Sequence, residues 1–244
     1  MTLRLYVEPG LHAGLTFKLP PAAARHAQVL RLQPGNELTL FDGTGGEWSA
    51  RVTQMGRSDV QVVVDVFRAV ERELARPVTL AVGMPANERF DWLVEKATEL
   101  GASAIQPLMT ERSVLRVSGE RAEKKRAHWQ AIAVAAAEQC GRNRVPHIHP
   151  VQELPAWLAS AAPGPECSAH VLSLSSAAVG ARAALSQPAA PPLLLLSGPE
   201  GGLSGAEEQL AIDRGFAPMS LGPRVLRAET APLVALAAVA SLSD

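Results

Sequence analysis

The sequence of 244 residues is poor in aromatic side chains, with 5 Phe, 4 Trp and 1 Tyr, and it contains two cysteines. Cys140 and Cys167 do not stand in a metal-ligand spacing, so the sequence predicts no disulfide framework and favours a reducing compartment. No hydrophobic run reaches the ~20 residues that a membrane-spanning helix requires. The first residues lack the long apolar region of a signal peptide. We therefore expect a soluble, cytoplasmic protein with no membrane partner.

Several widespread catalytic motifs are also missing from the sequence. No Gly-x-Gly-x-x-Gly follows an N-terminal strand and no Gly-x-x-x-x-Gly-Lys-Ser/Thr occurs, which excludes the usual nucleotide-binding loops. The Gly-x-Ser-x-Gly turn of serine hydrolases is absent as well. His, Cys and carboxylate residues do not cluster with metal-ligand spacing, so we expect no metal cofactor.

The composition is that of a globular protein whose charge is unevenly distributed. Hydrophobic residues make up 47% of the chain, charged residues 19%, and the net charge is −1. Residues 112–144 nevertheless hold 8 Lys and Arg against 3 Asp and Glu. Such a block is typical of a surface that faces phosphates, and equally of the solvated face of a helix. Charge alone leaves both interpretations open.

The first 70 residues have the pattern of a small β domain. Hydrophobic and polar residues alternate over 3–7, 37–41 and 60–66, as in half-buried strands, and Gly-rich turns separate these segments. Several short strands at this spacing suggest a small barrel. The sequence therefore predicts a β-barrel domain over residues 1–72.

From residue 77 onward, strands alternate with helices. Residues 78–82 form a continuous apolar run, typical of a strand buried on both faces, and a helix with one apolar face follows. Ser204 and Glu207 have the spacing of a capping box at the start of a later helix. Alternating strands and helices predict a mostly parallel α/β sheet, which we assign to a second domain over residues 73–244.

Two loops of the α/β part are candidate ligand sites. Residues 197–204 (SGPEGGLS) and 221–230 (LGPRVLRAET) each follow a predicted strand and precede a predicted helix. Ligands of parallel sheets bind beyond the carboxyl ends of strands, and glycine lets a ligand approach the backbone closely. Most such loops are nevertheless simple turns, so the first loop alone is weak evidence.

The last predicted helix, from about residue 231 to 242, is apolar on every side. Such a helix is buried all round, in the core of the chain or in a subunit interface. We favour partial burial in a homodimer.

Six segments resemble one known family. Besides 198–204 and 221–231, residues 25–31 (RHAQVLR), 95–101 (EKATELG), 110–114 (TERSV) and 137–142 (AEQCGR) match its signatures in the same order. The chain thus resembles the bacterial 16S rRNA uridine-N3 methyltransferases, the ribosomal small subunit methyltransferase E family, over nearly its whole length.

The resemblance implies a fold, a reaction and partners. It implies a PUA-like, RNA-binding β-barrel followed by a SPOUT-type α/β domain with a C-terminal trefoil knot. It further implies a homodimer that uses S-adenosylmethionine (SAM) to methylate uridine N3 in the 16S rRNA of the small ribosomal subunit. The sequence departs from the family at Ala228, where Thr is usual, and at Ala86, where Lys is common.

On this basis we assign three groups of site residues. The candidate catalytic residues are Arg227, Glu229 and Glu200, since uracil N3 must lose a proton and a cation stabilises the resulting anion. The candidate cofactor-binding residues are Leu172, Gly198, Pro199, Glu200, Gly201, Gly202, Leu221, Gly222, Val225, Leu226 and Arg227. The candidate RNA-binding residues are Arg25, His26, Arg31, Arg112, Arg116, Lys124, Arg142 and Arg144. The two glutamates could equally stabilise helix N-termini, and Arg227 could be a surface residue.

Three other functions remain open at this point. The chain could be a non-enzymatic RNA-binding or ribosome-assembly factor, in which the glycine loops are structural. It could be a SPOUT methyltransferase acting on a ribose 2′-OH or on tRNA. An enzyme acting on small-molecule nucleotides would explain the loops but leave the basic block without a purpose.

Overall fold

The computed structural model describes residues 2–160, 163–164, 166–186 and 191–242. Contacts between residues divide the chain into two units. The first unit comprises Met1–Glu73 and Ala137–Val145, and the second comprises Leu74–Ala136 and Pro146–Asp244. The first unit thus takes in residues 137–145 as well as the segment before residue 74. The assignment of functional domains to 1–72 and 73–244 stays a prediction.

The first unit is built on a five-stranded sheet. Its strands lie in the order β1-β3-β4-β5-β2, with β1 parallel to β3 and the other pairs antiparallel. Alternate residues of β5, such as Val62 and Val64, are buried while their neighbours are more exposed, as the period of a half-buried strand requires. The elements are β1 (Arg4–Tyr6), β2 (Thr16–Lys18), α1 (Pro21–Val29), β3 (Glu37–Phe41), β4 (Glu47–Met55) and β5 (Val60–Arg68).

Polar contacts join residues 137–145 to the rest of the first unit. Asn143 accepts a hydrogen bond from Arg4 Nη2 (2.7 Å) and donates one to the Val70 carbonyl (2.6 Å). The Glu138 carboxylate accepts a hydrogen bond from the Tyr6 backbone N–H (2.9 Å). These contacts are made by buried or half-buried groups, so they tie the segment to β1 and to the chain after β5.

The second unit alternates strands and helices, as the sequence predicts. Helix α3 is the longest element, and its last residues, 137–140, are counted with the first unit. The elements are β6 (Val78–Gly83), α2 (Asn87–Glu99), β7 (Ala104–Met109), α3 (Gly119–Cys140), β8 (His147–Ile148), β9 (Gln152–Glu153), α4 (Leu154–Ser160), β10 (Ser168–Leu172), β11 (Val179–Gly180), α5 (Ala181–Leu185), β12 (Leu193–Ser197), α6 (Gly205–Asp213), β13 (Ala217–Ser220) and α7 (Thr230–Leu242).

The strands of the second unit form one parallel sheet. Their order is β11-β13-β10-β12-β6-β7-β8, and β9 pairs with β7. The central strand β12 is buried along its whole length, between β10 and β6. The continuous apolar runs arise because both faces of a parallel sheet are covered. The predicted parallel α/β sheet is therefore confirmed.

Helix boundaries follow the local sequence signals. Phe90, Leu93 and Val94 of α2 are fully buried, and Gly101, at φ +96°, ends the turn that follows this helix. At α6, the Ser204 side chain accepts a hydrogen bond from the Glu207 N–H, and the Glu207 carboxylate accepts one from the Ser204 N–H, which confirms the capping box.

Helix α7 is apolar but is buried on only part of its surface within the chain. Leu233, Leu236 and Val239 are buried, whereas Val234 is 40% and Leu242 49% exposed. Burial on all sides is therefore not achieved by this chain alone, and an interface at α7 stays a prediction. Within the described ranges, no helix is long and apolar enough to cross a bilayer.

Candidate functional site

A cavity lies at the carboxyl ends of three neighbouring parallel strands, β12, β10 and β13. Its volume is ≈ 250 Å³, close to the lower end of the range for small-molecule sites. The loops after the three strands meet there because β10 lies between β12 and β13 in the sheet. It is lined by Leu172, Ser173, Leu174, Ser197, Gly198, Pro199, Glu200, Gly201, Gly202, Met219, Leu221, Gly222, Arg224, Val225, Leu226, Ala228 and Ala231.

Residues 198–204, the glycine loop, fold back on themselves and need glycine to do so. A Cβ at position 198 would lie 2.5 Å from the Leu203 nitrogen and 2.6 Å from the Gly202 carbonyl carbon. Gly202 adopts φ +67°, and its N–H donates a hydrogen bond to the Pro199 carbonyl (2.8 Å). The loop is therefore a tight turn whose backbone faces the cavity at close range.

Gly83, at the end of β6, gives the glycine loop room to leave the sheet. A Cβ at this position would meet Pro199 Cδ at 2.6 Å and the Pro199 nitrogen at 2.8 Å. Strand β6 is the neighbour of β12, so the start of the loop passes directly over the last residue of β6. No motif or periodicity in the sequence singled out this glycine.

The segment after β7 forms hydrogen bonds with the second half of the glycine loop and with α6. Arg112 Nη1 donates hydrogen bonds to the Gly201 carbonyl (2.8 Å) and the Leu203 carbonyl (3.2 Å). The Glu111 N–H donates to the Glu207 carboxylate (2.8 Å), whose other oxygen caps Ser204. These contacts therefore fix the second half of the loop and the start of α6.

Glu200 contacts the start of α2. Its Oε1 accepts hydrogen bonds from the Ala86 N–H (2.9 Å) and from Arg89 Nη1 (3.3 Å). Glu200 also lines the cavity. This predicted catalytic residue thus has the placement expected of a carboxylate that interacts with a helix N-terminus.

Residues 221–229, the C-terminal loop, supply the apolar wall of the cavity. Leu221, Val225 and Leu226 line it, and Val225 is 80% exposed in the free chain. Arg227 is exposed and is not among the lining residues. Glu229 is buried at the end of the loop, just before α7, and its Oε2 has no hydrogen-bond partner among the described residues.

Ten of the eleven predicted cofactor-binding residues line this one cavity, Arg227 being the exception. Ser173 and Ser197 also line the cavity and are polar and buried, but the sequence did not assign either to cofactor binding, although Ser197 begins the first candidate loop. Ser173 donates a hydrogen bond to Glu208 (2.5 Å), whereas the described residues offer Ser197 Oγ no partner. The available signal was position, since Ser197 ends the apolar run of β12 directly before Gly198.

The predicted RNA-binding residues of the first unit differ in accessibility. Arg25, His26 and Arg31 are exposed on α1 and the turn after it. The Arg144 side chain is 53% exposed and pairs with Glu71 at 3.2 Å. Arg142 is only 3% exposed and forms an ion pair with Glu73, so the structure buries this guanidinium where the prediction expected a surface cation.

The predicted RNA-binding residues of the second unit are all exposed. Arg116 Nη2 donates to the carbonyls of Thr110 (3.2 Å) and Glu111 (3.1 Å), next to the Arg112 contacts already described. The Lys124 side chain is 75% exposed and pairs with Glu120 at 2.7 Å on α3. In the described part of the chain, no group of three or more His, Cys, Asp or Glu residues could hold a metal ion.

The chain matches two protein-family profiles. The RNA methyltransferase domain profile matches residues 72–240, and the RNA methyltransferase PUA domain profile matches residues 19–65. Both the glycine loop and the C-terminal loop lie within the first match.

Curated relatives and solved structures agree with these profiles. The ribosomal RNA small subunit methyltransferase E proteins of Synechocystis sp. and Bacillus subtilis are 39% and 34% identical to the chain, covering 100% and 92% of it and 79% and 89% of the relatives. A methyltransferase from Legionella pneumophila, in complex with the bound cofactor SAM, has a TM-score of 0.91 at 34% identity. Ribosomal RNA small subunit methyltransferase E from Neisseria gonorrhoeae, bound to S-adenosyl methionine, has a TM-score of 0.90 at 34% identity. Both comparisons cover 99% of this chain and 98% of the other.

These matches confirm three predictions made from the sequence: a PUA-like domain, an α/β methyltransferase domain and an enzyme that modifies RNA. The profile match extends over more than half of the chain, and the identity to named relatives exceeds 30% over nearly all of it. The chain belongs to the ribosomal RNA small subunit methyltransferase E family.

Proposed function

We propose that this protein transfers a methyl group from SAM to N3 of a uridine in the 16S rRNA of the small ribosomal subunit. The observation that carries the proposal is the cavity at the ends of β12, β10 and β13, lined by both family-like loops. Two structures at 34% identity to the chain contain SAM, which supports this cofactor.

The residues of the cavity fit the chemistry of SAM. Leu172, Leu221 and Leu226 are apolar and suit the faces of an adenine ring, while backbone groups of the glycine loop can pair with its polar edge. The buried Ser197 hydroxyl, with no partner in the described residues, offers a further polar contact. Leu172, Gly198, Pro199, Gly201, Gly202, Leu221, Gly222, Val225 and Leu226 would hold the cofactor, with Glu200 contributing through the loop.

The chemistry requires alignment and the removal of one proton. When bound, SAM supplies a methyl group activated by its sulfonium. The two loops would hold SAM beside the uracil, which would lower the entropic part of the barrier to moving the methyl group from the sulfonium sulfur to N3. We assign Glu229 the acceptance or orientation of the uracil N3 proton, and the exposed Arg227 guanidinium the stabilisation of negative charge on the uracil oxygens or the cofactor carboxylate. Glu200 then positions the glycine loop through Ala86 and Arg89.

We propose separate RNA contacts on the two units. In the first unit they are made by Arg25, His26, Arg31 and Arg144, and in the second by Arg116 and Lys124, because the hydrogen bonds of the Arg112 guanidinium go to the glycine loop. An RNA contact through Arg142 would first require its buried ion pair with Glu73 to open. With few aromatic residues available for base stacking, phosphate contacts dominate, so affinity falls steeply as salt is raised.

The proposal also includes the finer features that the resemblance implies. These are an RNA-binding domain at 1–72, a SPOUT domain at 73–244 with a C-terminal trefoil knot, a homodimer, and a cytoplasmic location. The exposed Val234 and Leu242 of α7 support the homodimer, because exposed apolar side chains on an apolar helix favour association.

One experiment tests the function directly. Purified protein is incubated with methyl-labelled SAM and small subunits that lack the modification, and the digested rRNA is analysed by mass spectrometry. We expect one label on a uracil base at N3. A label on a ribose 2′-OH, or on tRNA offered in parallel, would indicate a SPOUT enzyme of different specificity. If calorimetry detects no SAM binding, the chain is an RNA-binding or assembly factor.

A further inference from the structure

Arg112, which the sequence assigns to RNA binding, makes its hydrogen bonds to the glycine loop. Its Nη1 donates to the Gly201 carbonyl at 2.8 Å and to the Leu203 carbonyl at 3.2 Å. The stem of the side chain lies against the same turn, since a Cβ at Gly201 would meet Arg112 Cβ at 3.1 Å and Cδ at 3.2 Å. One side chain thus packs on the loop and orients two of its peptide groups.

The segment that carries Arg112 is itself held in place. The Glu111 N–H donates to the Glu207 carboxylate at 2.8 Å, and Arg116 Nη2 donates to the carbonyls of Thr110 and Glu111. The Thr110 N–H donates to Ser113 Oγ at 3.0 Å. The segment that carries Arg112 is therefore fixed to the N-terminus of α6. Because Arg112 extends from this fixed segment, its hydrogen bonds restrict the conformation of the glycine loop.

Restricting the loop before the ligand binds matters because the loop contains three glycines. Glycine loses more backbone entropy on ordering than any other residue, and a loop that must become ordered on binding weakens the affinity for its ligand. Gly201 and Gly202 line the cavity, so the peptide group between them, whose carbonyl accepts from Arg112, lies beside the proposed cofactor. Hydrogen bonds to a charged donor are the stronger kind.

We propose that Arg112 is a positioning residue that preorganises the glycine loop for SAM and thereby raises the affinity of the protein for SAM in the absence of RNA. This inference rests on the proposed function, since it requires that SAM binds in the cavity. It gives Arg112, a residue of the basic block 112–144, a role in cofactor binding and not in RNA binding.

The test is calorimetry of SAM binding to the full-length protein without RNA. We expect the Kd of Arg112→Gln to be about tenfold above the wild type, and that of Arg112→Lys about threefold above it, because lysine keeps a charged donor but loses the planar guanidinium. Arg126→Gln is the matched control, since Arg126 pairs with Glu123 on α3 at 2.8 Å, and its Kd should equal that of the wild type. In steady-state assays, Arg112→Gln should raise KM for SAM and leave kcat at saturating SAM near the wild-type value.

Each result decides the matter. An unchanged SAM Kd for Arg112→Gln overturns the inference, and weakened RNA binding by the same variant would return Arg112 to the RNA surface. Parallel losses of SAM affinity, RNA affinity and thermal stability indicate a general structural role and also overturn it. If Arg112→Gln fails to fold, the Kd of Arg112→Lys decides, a raised value supporting the inference and a wild-type value overturning it. If the wild type binds no SAM, the proposed function fails as well, so the two failures are distinguishable.

Discussion

Ser197 is a buried polar residue at the wall of the cavity, and its hydroxyl has no partner among the described residues. An unpaired buried hydroxyl costs about 1–3 kcal/mol, and a ligand that bonds to it recovers part of this energy. For Ser197→Ala we expect the Kd for SAM to rise about 3–10-fold. The unfolding temperature of the ligand-free protein should stay the same or rise, because the unpaired group is removed. Calorimetry and thermal denaturation measure the two quantities.

The control for this substitution is Ser58→Ala, at an exposed serine between β4 and β5. It should change neither quantity. A wild-type Kd for Ser197→Ala, together with a lower unfolding temperature, would mean that the hydroxyl serves the fold and not the ligand.

Glu229 is also buried, its Oε2 has no hydrogen-bond partner within the part of the chain that the structure describes, and it ends the C-terminal loop. Glu229→Gln keeps the shape of the side chain and removes its ability to accept a proton. If Glu229 is the general base, single-turnover methylation should slow by about 10²–10⁴-fold while the Kd for SAM stays the same. Rapid-quench measurements on unmodified small subunits test this, with the exposed Glu120→Gln as a control. A near-normal rate would leave Glu229 as a residue that stabilises the start of α7.

Single residues also mark the limit of what the sequence predicts. The charge pattern identified Arg142 and Arg144 as members of one basic block, yet one is buried against Glu73 and the other is half exposed beside Glu71. Both partners lie far earlier in the chain, 69 and 73 positions away. Charge along the sequence does not reveal which cation has a carboxylate beside it after folding, so the pattern could not separate the two.

The shape of the glycine loop depends on glycine at position 198. Alanine at 198 would place a Cβ 2.5 Å from the Leu203 nitrogen, whereas alanine at 205 would find no atom within 4 Å. We expect Gly198→Ala to raise the Kd for SAM more than about tenfold, because the turn must open to remove the clash. Gly205→Ala, at the first residue of α6, should have the wild-type Kd for SAM. Equal Kd values for the two variants would show that the loop does not form the cofactor site.

Helix α3 contributes a half-buried carboxyl group, Glu138, to the first unit. Burial is the largest effect on this group and raises its pKa above the ordinary 4.5, although the Tyr6 N–H and the charges of His26 and Arg4 oppose it. The folded state therefore disfavours the charged form, and its stability falls as the pH rises from 4.5 through the raised pKa. Glu138→Gln keeps an oxygen for the Tyr6 N–H and removes this cost. We expect a higher unfolding temperature than the wild type at pH 7 and a difference that vanishes near pH 4, as thermal scans at both pH values would measure.

The matched change for Glu138→Gln is Glu123→Gln, which removes a carboxylate from an exposed turn of the same helix. Because this carboxylate is exposed, the substitution should not reproduce the pH-dependent gain. A lower unfolding temperature for Glu138→Gln at pH 7 would mean that the charge at position 138 stabilises the fold.

Among the elements, segments with a repeating hydrophobic pattern were predictable and strands of two residues were not. The alternation at 37–41 and the apolar face of α2 each correspond to an observed element, because several residues repeat one pattern. Strands β8, β9 and β11 have two residues each, which is too few for any period to be visible. They exist because an edge of the sheet, at β7 or β13, is available for pairing. Their positions therefore depend on the folded sheet and not on their own sequence.

In the second unit as a whole, the order of the strands assembles the cavity. Residues 172, 198 and 222 lie at or beyond the ends of β10, β12 and β13, and these three strands are neighbours in the sheet although their loops are well separated in the chain. The sequence indicated that both glycine-containing loops follow strands, and parallel pairing then places their ends at one edge. It could not indicate that β10 lies between the other two. The sequence assigned Leu172, at the end of its strand, to the cofactor site and missed Ser173, the next residue.

The oligomeric state is the property of the whole molecule that the sequence and the structure address together. The sequence shows a helix apolar on every side, and the structure leaves Val234 of α7 40% exposed beside a groove lined by Gly180, Ala181 and Ala238. Covering this surface with a second copy would remove apolar side chains from water. We expect sedimentation velocity to give twice the chain mass of 25.8 kDa for the wild type and a shift toward the monomer for Val234→Glu.

The matched change is Val66→Glu, at a valine of β5 that is 61% exposed in the first unit, and it should leave the dimer intact. If Val234→Glu remains dimeric, the interface lies elsewhere on the chain. If the wild type is a monomer, α7 keeps an exposed apolar face in solution.

Because Leu221 and Gly222 line both this groove and the cofactor cavity, a dimer formed at α7 would fix the C-terminal loop from outside. Loss of the dimer in Val234→Glu should then also weaken SAM binding, which calorimetry on the same samples would detect.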